Sequence, residues 1–420
     1  MKNALKIILL FLVLFFGNKA QAQELESYLR IAAENNPKLQ SAYTQFEAAL
    51  LESPQVASLP DPTLTVSAFG RMIETRLGAQ EARFNLMQMF PWFGTLKAKA
   101  QAADLMAEAR FQEYLAMRGD LFYEVKKAYS ELYELEETIG LKKENLEILD
   151  SYRELSLSKF RSGSSSMVNV VRVDIKREEA ITEIELEQEA LESLKRQFNY
   201  LLNREPGATV QIQDTLTLSK PGDSELEEID FDTHPELTRF DRELEAYQSR
   251  AEVAQKEGLP MLGLGVDYSI ISKRTDANPP MNGQDAVMPM FSVTLPIFRK
   301  KYKAAEKEAE LMQTAAIQNR EARENELLTI YEQTCYELKK AEKLLELYDR
   351  QIKSSNRANK LLVSGFGNNT EDFEEVLRMN QDILMLNTQK LAALKNGFIA
   401  QAKLDYLSSK TKNHDENIKE

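Results

Sequence analysis

Two polarity rhythms alternate along this chain. Thr63 to Met72 changes polarity at every second residue, with Leu64, Val66 and Ala68 on one side and Thr63, Thr65 and Ser67 on the other. Ala82 to Phe90 repeats the pattern, Phe84 and Leu86 against Arg83 and Asn85, after a polar loop from Ile73 to Gln80 that holds Gly78. Further on, Leu262, Leu264, Val266, Tyr268 and Ile270 oppose Gly263, Gly265, Asp267 and Ser269. After a proline- and asparagine-rich loop, Arg274 to Asp285, Phe291, Val293 and Leu295 oppose Ser292 and Thr294. A period of two sets successive side chains on opposite faces of a strand. The spacing predicts four strands, about residues 63–72, 82–90, 261–271 and 286–295. Pro289 counts against the start of the last one, since strands accommodate proline only at an edge or bulge. Each stretch has the roughly ten residues that a tilted strand needs to cross a bilayer.

Between these stretches the rhythm is helical. Glu24 to about Ser58 reads as helix, broken at Pro37, disturbed near Pro54 and stopped by Pro60 and Pro62, which lack the amide the next turn needs. No proline interrupts Gly94 to Ser162 or Arg299 to Ser364. Ala128, Leu132, Leu135, Ile139, Leu146 and Leu149 keep a four-three spacing, broken by Lys142. Leu327, Tyr331, Thr334, Leu338, Ala341, Leu345, Tyr348 and Ile352 keep it again. These are coiled-coil seams on helices of about 65 residues, near 100 Å at 1.5 Å per residue. Shorter helices (Met167–Asn203, Pro235–Gly258 and Thr370–Ser409) complete the pattern.

The order of elements is written twice. Asn36-Pro37-Lys38-Leu39 answers His234-Pro235-Glu236-Leu237 at an offset of 198 residues, and Asp61-Pro62 answers Leu259-Pro260 at the same offset. Phe90-Pro91-Trp92-Phe93 matches Leu295-Pro296-Ile297-Phe298, and Arg161-Ser162-Gly163 matches Val363-Ser364-Gly365. This is one duplicated unit rather than a short-repeat array. It divides the chain into a first repeat, 23–204, a linker with strand-like alternation at Thr209 to Gln213, 205–233, a second repeat, 234–409, and a polar tail, 410–420.

Residues 1–22 read as a secretory signal: Lys2 and Lys6, an apolar run from Ile7 to Phe16, then Ala20-Gln21-Ala22. Its removal takes three lysines and no acid, moving the net charge from −13 to −16. So acidic a chain is a poor nucleic-acid binder. Gln23 would follow the cleavage site, so no cysteine stands there to carry a lipid, and the lone Cys335 cannot form an internal disulfide. After residue 22 no apolar run reaches the length of a spanning helix, so a membrane crossing would have to be made by strands in a closed barrel. Single-chain barrels start at about eight strands, and an open sheet in lipid leaves both edges unpaired. Four strands per chain therefore require several copies to pool them under cyclic symmetry.

The signal, the duplication, Leu59-Pro60-Asp61-Pro62, Phe90-Pro91-Trp92-Phe93-Gly94, and the turns Phe160-Arg161-Ser162-Gly163 and Leu362-Val363-Ser364-Gly365 together resemble TolC-type outer-membrane efflux proteins. The proline motifs look most like the heavy-metal (Cus/Czc-like) branch. The resemblance implies a mainly α protein with a membrane β-barrel contribution. It would be a homotrimer with a twelve-stranded barrel in the outer membrane of a Gram-negative bacterium, standing on a periplasmic helical tube. It would act as a passive conduit in a tripartite efflux or type I secretion-like system. It would dock on a periplasmic adaptor (membrane fusion) protein that leads to an inner-membrane pump such as the RND type, with no cofactor and no enzymatic activity. The rival reading is a periplasmic coiled-coil scaffold without a pore.

Site residues follow from that picture. Pro60, Pro62, Pro91, Pro260 and Pro296 would be swivels between barrel and tube, and Phe90, Trp92, Phe93 and Phe298 an aromatic belt at the lipid interface. Ser162, Gly163 and Ser164, with Ser364, Gly365 and Phe366, would form turns that meet the adaptor. Six and nine residues after Gly365, the positions that are acidic in the family, stand Glu371 and Glu374, flanked by Asp372 and Glu375; the first repeat has Asn169 and Arg172 at the matching places. The acids would ring a periplasmic gate and attract cations. The same acids also favour a helix N-terminus. No motif for catalysis is present, and His234 and His414 have no metal-ligand spacing. Met72, Met87, Met89, Met261, Met281, Met288 and Met290 gather near the strands, where apolar filling is the plainer reading and soft-metal ligation the sharper one.

Overall fold

The structure is a computed structural model that describes residues 24–212, 215–218 and 231–408. The expected signal peptide, part of the linker and the polar tail lie outside the described residues. The elements are α1 (Glu24–Asn35), α2 (Pro37–Leu50), α3 (Glu52–Ala57), β1 (Thr63–Thr75), β2 (Gly78–Phe90), α4 (Thr95–Arg161), α5 (Met167–Leu201), α6 (Pro235–Glu257), β3 (Met261–Ile271), β4 (Ala286–Thr294), α7 (Arg299–Gly367) and α8 (Phe373–Leu407). Two compact units form, one from residues 42–114 and 235–323, the other from the remainder. They cut across the duplication, since each takes segments from both repeats. No helix among the described residues is long and apolar enough to cross a membrane.

The first unit holds one antiparallel sheet in the order β1-β2-β3-β4. β1 and β2 run further than the alternation predicts. The stretch read as a polar loop, Ile73 to Gln80, is a tight hairpin in which Ile73 pairs with Gln80, Glu74 with Ala79 and Thr75 with Gly78. The register slips between Ala68 and Ile73, so the period of two is lost there although the pairing continues. Gly78 turns the hairpin at φ +140, and a Cβ on it would lie 1.7 Å from the Ser272 carbonyl oxygen. The β3–β4 connection stays a loop. The Asn282 side chain accepts from the Arg274 amide at 2.8 Å, and the Asp285 carboxylate accepts from the Ile271 amide at 3.0 Å. Pro289 lies within β4, which is an edge strand and can absorb a missing donor. In the helices of this unit, Arg320 bonds Asp241 at 2.9 Å and Tyr43, Phe46, Phe111 and Tyr114 pack ring on ring.

The second unit is helical. On α7 the anticipated seam is buried at Leu327, Tyr331, Thr334, Leu338 and Ala341. Thr334 answers its own buried hydroxyl by donating to the Ile330 carbonyl at 2.6 Å. Cys335 is buried beside it, and burial together with Cys335 pushes the Tyr331 phenol up to about 12. On α4 the buried stripe is Val125, Tyr129, Leu132, Ile139, Leu149 and Tyr152, while Ala128, Leu135 and Leu146 are half-buried. Lys142 interrupts the apolar spacing because α5 supplies Glu183 and Glu187 at 2.8 and 2.7 Å. Burial pulls its pKa down, but the two carboxylates outweigh that and hold it above the usual lysine value. In the linker, the stretch from Thr209, expected as strand, forms no ladder among the described residues. The Tyr28 hydroxyl takes the amide and carbonyl of Gln211, at 3.0 and 3.3 Å. Val210 and Leu216 are buried there.

Candidate functional site: an inverted sheet and two helical tips

The sheet in the first unit is inside out for a protein in water. Register places Leu64, Leu86, Val266 and Pro289 in one row, and Val66, Phe84 and Tyr268 in the next, so all four strands share one apolar face. That face is bare: Leu64 is 61% exposed, Leu264 56% and Phe291 67%. Across β3 the polar positions are the hidden ones, with Asp267 and Ser269 buried while Leu264, Val266 and Tyr268 stand out. A soluble half-buried sheet has the opposite polarity, and an apolar patch of this kind marks contact with lipid or a partner. The one polar residue on the apolar face of β2, Gln88, has its amide tied to the Pro60 and Met89 carbonyls.

The opposite face carries a polar network that the alternation did not reveal. The buried Asp267 carboxylate accepts from Arg83 at 2.6 Å and from Asn85 at 3.3 Å, and Gln80 donates to Ser269 at 2.7 Å. The sequence did contain a signal, a lone acid and a lone arginine at polar positions of neighbouring strands. Only the register brings them together.

Each proline expected as a swivel sits at an element junction. Pro60 and Pro62 lie between α3 and β1, Pro91 between β2 and α4, Pro260 between α6 and β3, and Pro296 between β4 and α7. Of the expected belt, Phe93 and Phe298 are each 78% exposed. Trp92 leans on Phe93 at 6.0 Å, and Phe90 is half-buried at the end of β2. Among the described residues, no group of three or more acids, histidines and cysteines could hold a metal ion. His234 is buried edge-on to Tyr406 at 5.4 Å.

In the second unit the two expected turns come together. Lys159 donates to the Phe366 carbonyl and the Asn369 side chain and lies 4.8 Å from the Phe366 ring, while Arg172 meets Glu374 at 2.7 Å. Beneath them Phe366, Phe373, Tyr152, Leu149, Val173 and Val376 form one apolar cluster. The first turn is as anticipated, with Gly163 at φ +73 and Ser162 and Ser164 exposed. The second is displaced. Gly365 is helical and α7 continues to Gly367, so the left-handed residue is Asn369 at φ 61. Gly365 serves proximity instead, since a Cβ there would meet Glu371 Cγ at 2.4 Å. Phe366, expected at the contact surface, is turned into the apolar cluster.

The four acids divide their work. Asp372 caps α8 by accepting from the Glu374 amide at 3.3 Å, Glu374 pairs with Arg172, and Glu375 pairs with Arg378. Glu371 has no hydrogen bond or ion pair among the described residues.

With this geometry in hand, comparison with known proteins is direct. Residues 28–200, from α1 almost to the end of α5, match the model of the outer membrane efflux protein family. Over this stretch the chain is similar to that family. No curated protein sequence matches the chain. Solved structures reach beyond the family stretch. The outer-membrane channel OprN aligns with a TM-score of 0.72 at 19% identity, over 91% of this chain and 89% of its own. The outer membrane protein VceC from Vibrio cholerae aligns with a TM-score of 0.74 at 17% identity, over 92% and 96%. CusC aligns at 0.69 and 17%, over 92% of each chain. At such identities the likeness establishes the fold, a mostly helical chain with a few strands, and that fold takes in the acid-bearing tip outside the efflux-protein match.

Proposed function

We propose that this protein is the outer-membrane channel subunit of a tripartite efflux system. The observation that carries the reading is the inverted sheet with two open edges. Its apolar face suits hydrocarbon, but β1 and β4 each leave a row of unpaired backbone groups, which lipid cannot satisfy. Three copies, with β4 of one pairing to β1 of the next, would close twelve strands and remove every edge. Lipid then meets the Leu, Val and Phe face, and the Thr, Ser, Asn and Asp face lines a lumen. A periplasmic scaffold has no use for so large a bare apolar surface.

The helices form the periplasmic tube. The tips around Ser162–Ser164 and Ser364 dock on an adaptor protein, which links the channel to an inner-membrane pump. The swivel and belt residues act where barrel meets tube. Transport needs no cofactor or bond chemistry in this chain, because the pump supplies the energy. At the periplasmic entrance the gate charge resides on Glu371, the acid with no partner among the described residues, while Glu374 is balanced by Arg172. The processed protein, extracted in detergent, should run as a trimer by light scattering and conduct in planar bilayers. Glu371→Ala should alter cation block and resting conductance more than Glu374→Ala. A freely water-soluble monomer would overturn the channel, and unchanged conductance in both variants would leave the acids as helix-start residues only.

A further inference from the structure

Residues from all four junctions between sheet and helices line one cleft of about 620 Å³ in the first unit. Its walls include Leu59 and Asp61 before β1, Trp92 and Thr95 after β2, Lys256 before β3 and Lys301 after β4. Folding alone leaves two features of it unexplained. The first is a hydroxyl. Thr95 opens α4 and is only 2% exposed, yet its Oγ1 has no hydrogen-bond partner. A buried hydroxyl without a partner destabilises, and valine would fill the same space without that loss. A threonine kept there points to a ligand that supplies the missing acceptor.

The second is the placing of charge. The chain is acidic overall, yet residues 95–103 and 299–305 hold Lys97, Lys99, Arg299, Lys300, Lys301 and Lys303 and no acid. Cations in a first turn oppose the helix dipole, and neither α4 nor α7 has an acid there to offset them. An anion bound at these helix starts reverses that disadvantage. Lys99 and Lys256 face Glu257 and Glu252 at 2.6 and 2.7 Å. Gly94, at φ +79, lets Lys256 come over the start of α4, since a Cβ on it would lie 2.5 Å from Nζ. Lys301 lies 4.6 Å from the Tyr302 ring and has no ion pair among the described residues. Asp61 has none either. The cleft thus offers one uncompensated cation and one uncompensated acid beside an unpaired hydroxyl.

We infer that this cleft binds the headgroup of a zwitterionic glycerophospholipid, a phosphate and an ammonium on one short tether. The phosphate oxygens accept from the Thr95 hydroxyl and the Lys301 ammonium, and the ligand's own ammonium meets Asp61. Leu59 and Trp92 give the cleft an apolar wall that suits the glycerol and acyl part, which inorganic phosphate lacks. The inference rests on the channel reading, which sets these junctions at the lipid interface; the residues that form the cleft all come from one chain.

Trp92 is the single tryptophan of the chain and lines the cleft, so its fluorescence reports occupancy. The full-length protein in dodecyl maltoside is titrated with phosphatidylethanolamine, with diacylglycerol of the same chains and with inorganic phosphate. The phospholipid should give a saturable response that the other two do not. Lys301→Gln and Thr95→Val should each weaken it about tenfold, whereas Lys97→Gln, exposed and outside the cleft, should not. Thr95→Val should leave the thermal midpoint of the lipid-free protein unchanged or raised, which separates lost binding from lost folding. Phosphatidylglycerol, which lacks the ammonium, should bind the parent more weakly than phosphatidylethanolamine and Asp61→Asn equally well. An equal response to diacylglycerol, or unchanged binding in both Lys301→Gln and Thr95→Val, would overturn the site. Saturation by inorganic phosphate alone would overturn the lipid as its source. A conducting trimer without the Trp92 response would sink the cleft and spare the channel, and the response without conductance would do the opposite.

Discussion

The two helical tips descend from one repeat, yet they turn by different means. The first uses Gly163 in the left-handed region and Ser166, whose side chain accepts from the Val168 amide at 3.2 Å. The second uses Asn369 and Asp372 in those roles. Both connections span five residues, 162–166 and 368–372, so Gly163 corresponds to Asn369 and Ser166 to Asp372. Matching the glycines instead, as the letters invite, misaligns the tips by four residues, about one turn of helix. In the corrected alignment Arg172 corresponds to Arg378, and its ion pair with Glu374 is a contact between tips, not a charge swap at one position. A turn can thus be inherited as geometry while the residue that makes it changes.

The largest effect that would break this comparison lies beneath both tips. Phe373 is fully buried, with Phe366 at 4.8 Å and Tyr152 at 6.2 Å. Phe373→Ala should cost about 3–5 kcal/mol of local opening free energy. Because the cluster takes residues from both hairpins, amide hydrogen exchange should rise in both tips together. Exchange confined to the second tip would mean that they fold separately.

The glycines give a sharper contrast at smaller scale. Gly163→Ala forces a Cβ into the left-handed region and should destabilise the first tip by about 1–2 kcal/mol. Gly365→Ala should destabilise the second tip by crowding rather than by backbone strain, since its Cβ would meet Glu371 Cγ at 2.4 Å and Cβ at 3.2 Å, only partly offset by the about 1 kcal/mol by which alanine favours a helix. Glu371→Ala should relieve much of that loss and leave the loss from Gly163→Ala untouched. No relief would return the turn to Gly365.

The caps should differ least. Ser166→Ala and Asp372→Ala should each release about 1 kcal/mol, seen as faster exchange in the first turn of α5 or α8 respectively. No loss at one of them would show that its cap is inherited in position only.

The elements were largely legible in the sequence, because period two and proline punctuation mark strands and their junctions directly. Register was not. Nothing in the alternation of β1 reveals the slip after Ala68, and neighbouring turns of a helix look alike, which is how Gly365 came to stand for Asn369. The four acids expected at a gate were visible as a group, but their division of labour was not. Whether Glu374 or Glu371 keeps a free charge depends on Arg172, which reaches it from another helix. Phe366 looked like a surface residue because it follows a glycine, and only the packing of Phe373 and Tyr152 turns it inward.

The central ladder of the sheet joins the two repeats, with Asn85 and Asp267 standing 182 residues apart. The β1–β2 hairpin is therefore made long before its neighbour exists, and two strands alone are marginal in water. During synthesis it must wait, greasy side outward, for most of the remaining polypeptide to arrive. On the proposed channel reading, membrane insertion is then a late event drawing on both halves at once, and any product cut short before β3 carries a hairpin with nowhere to go.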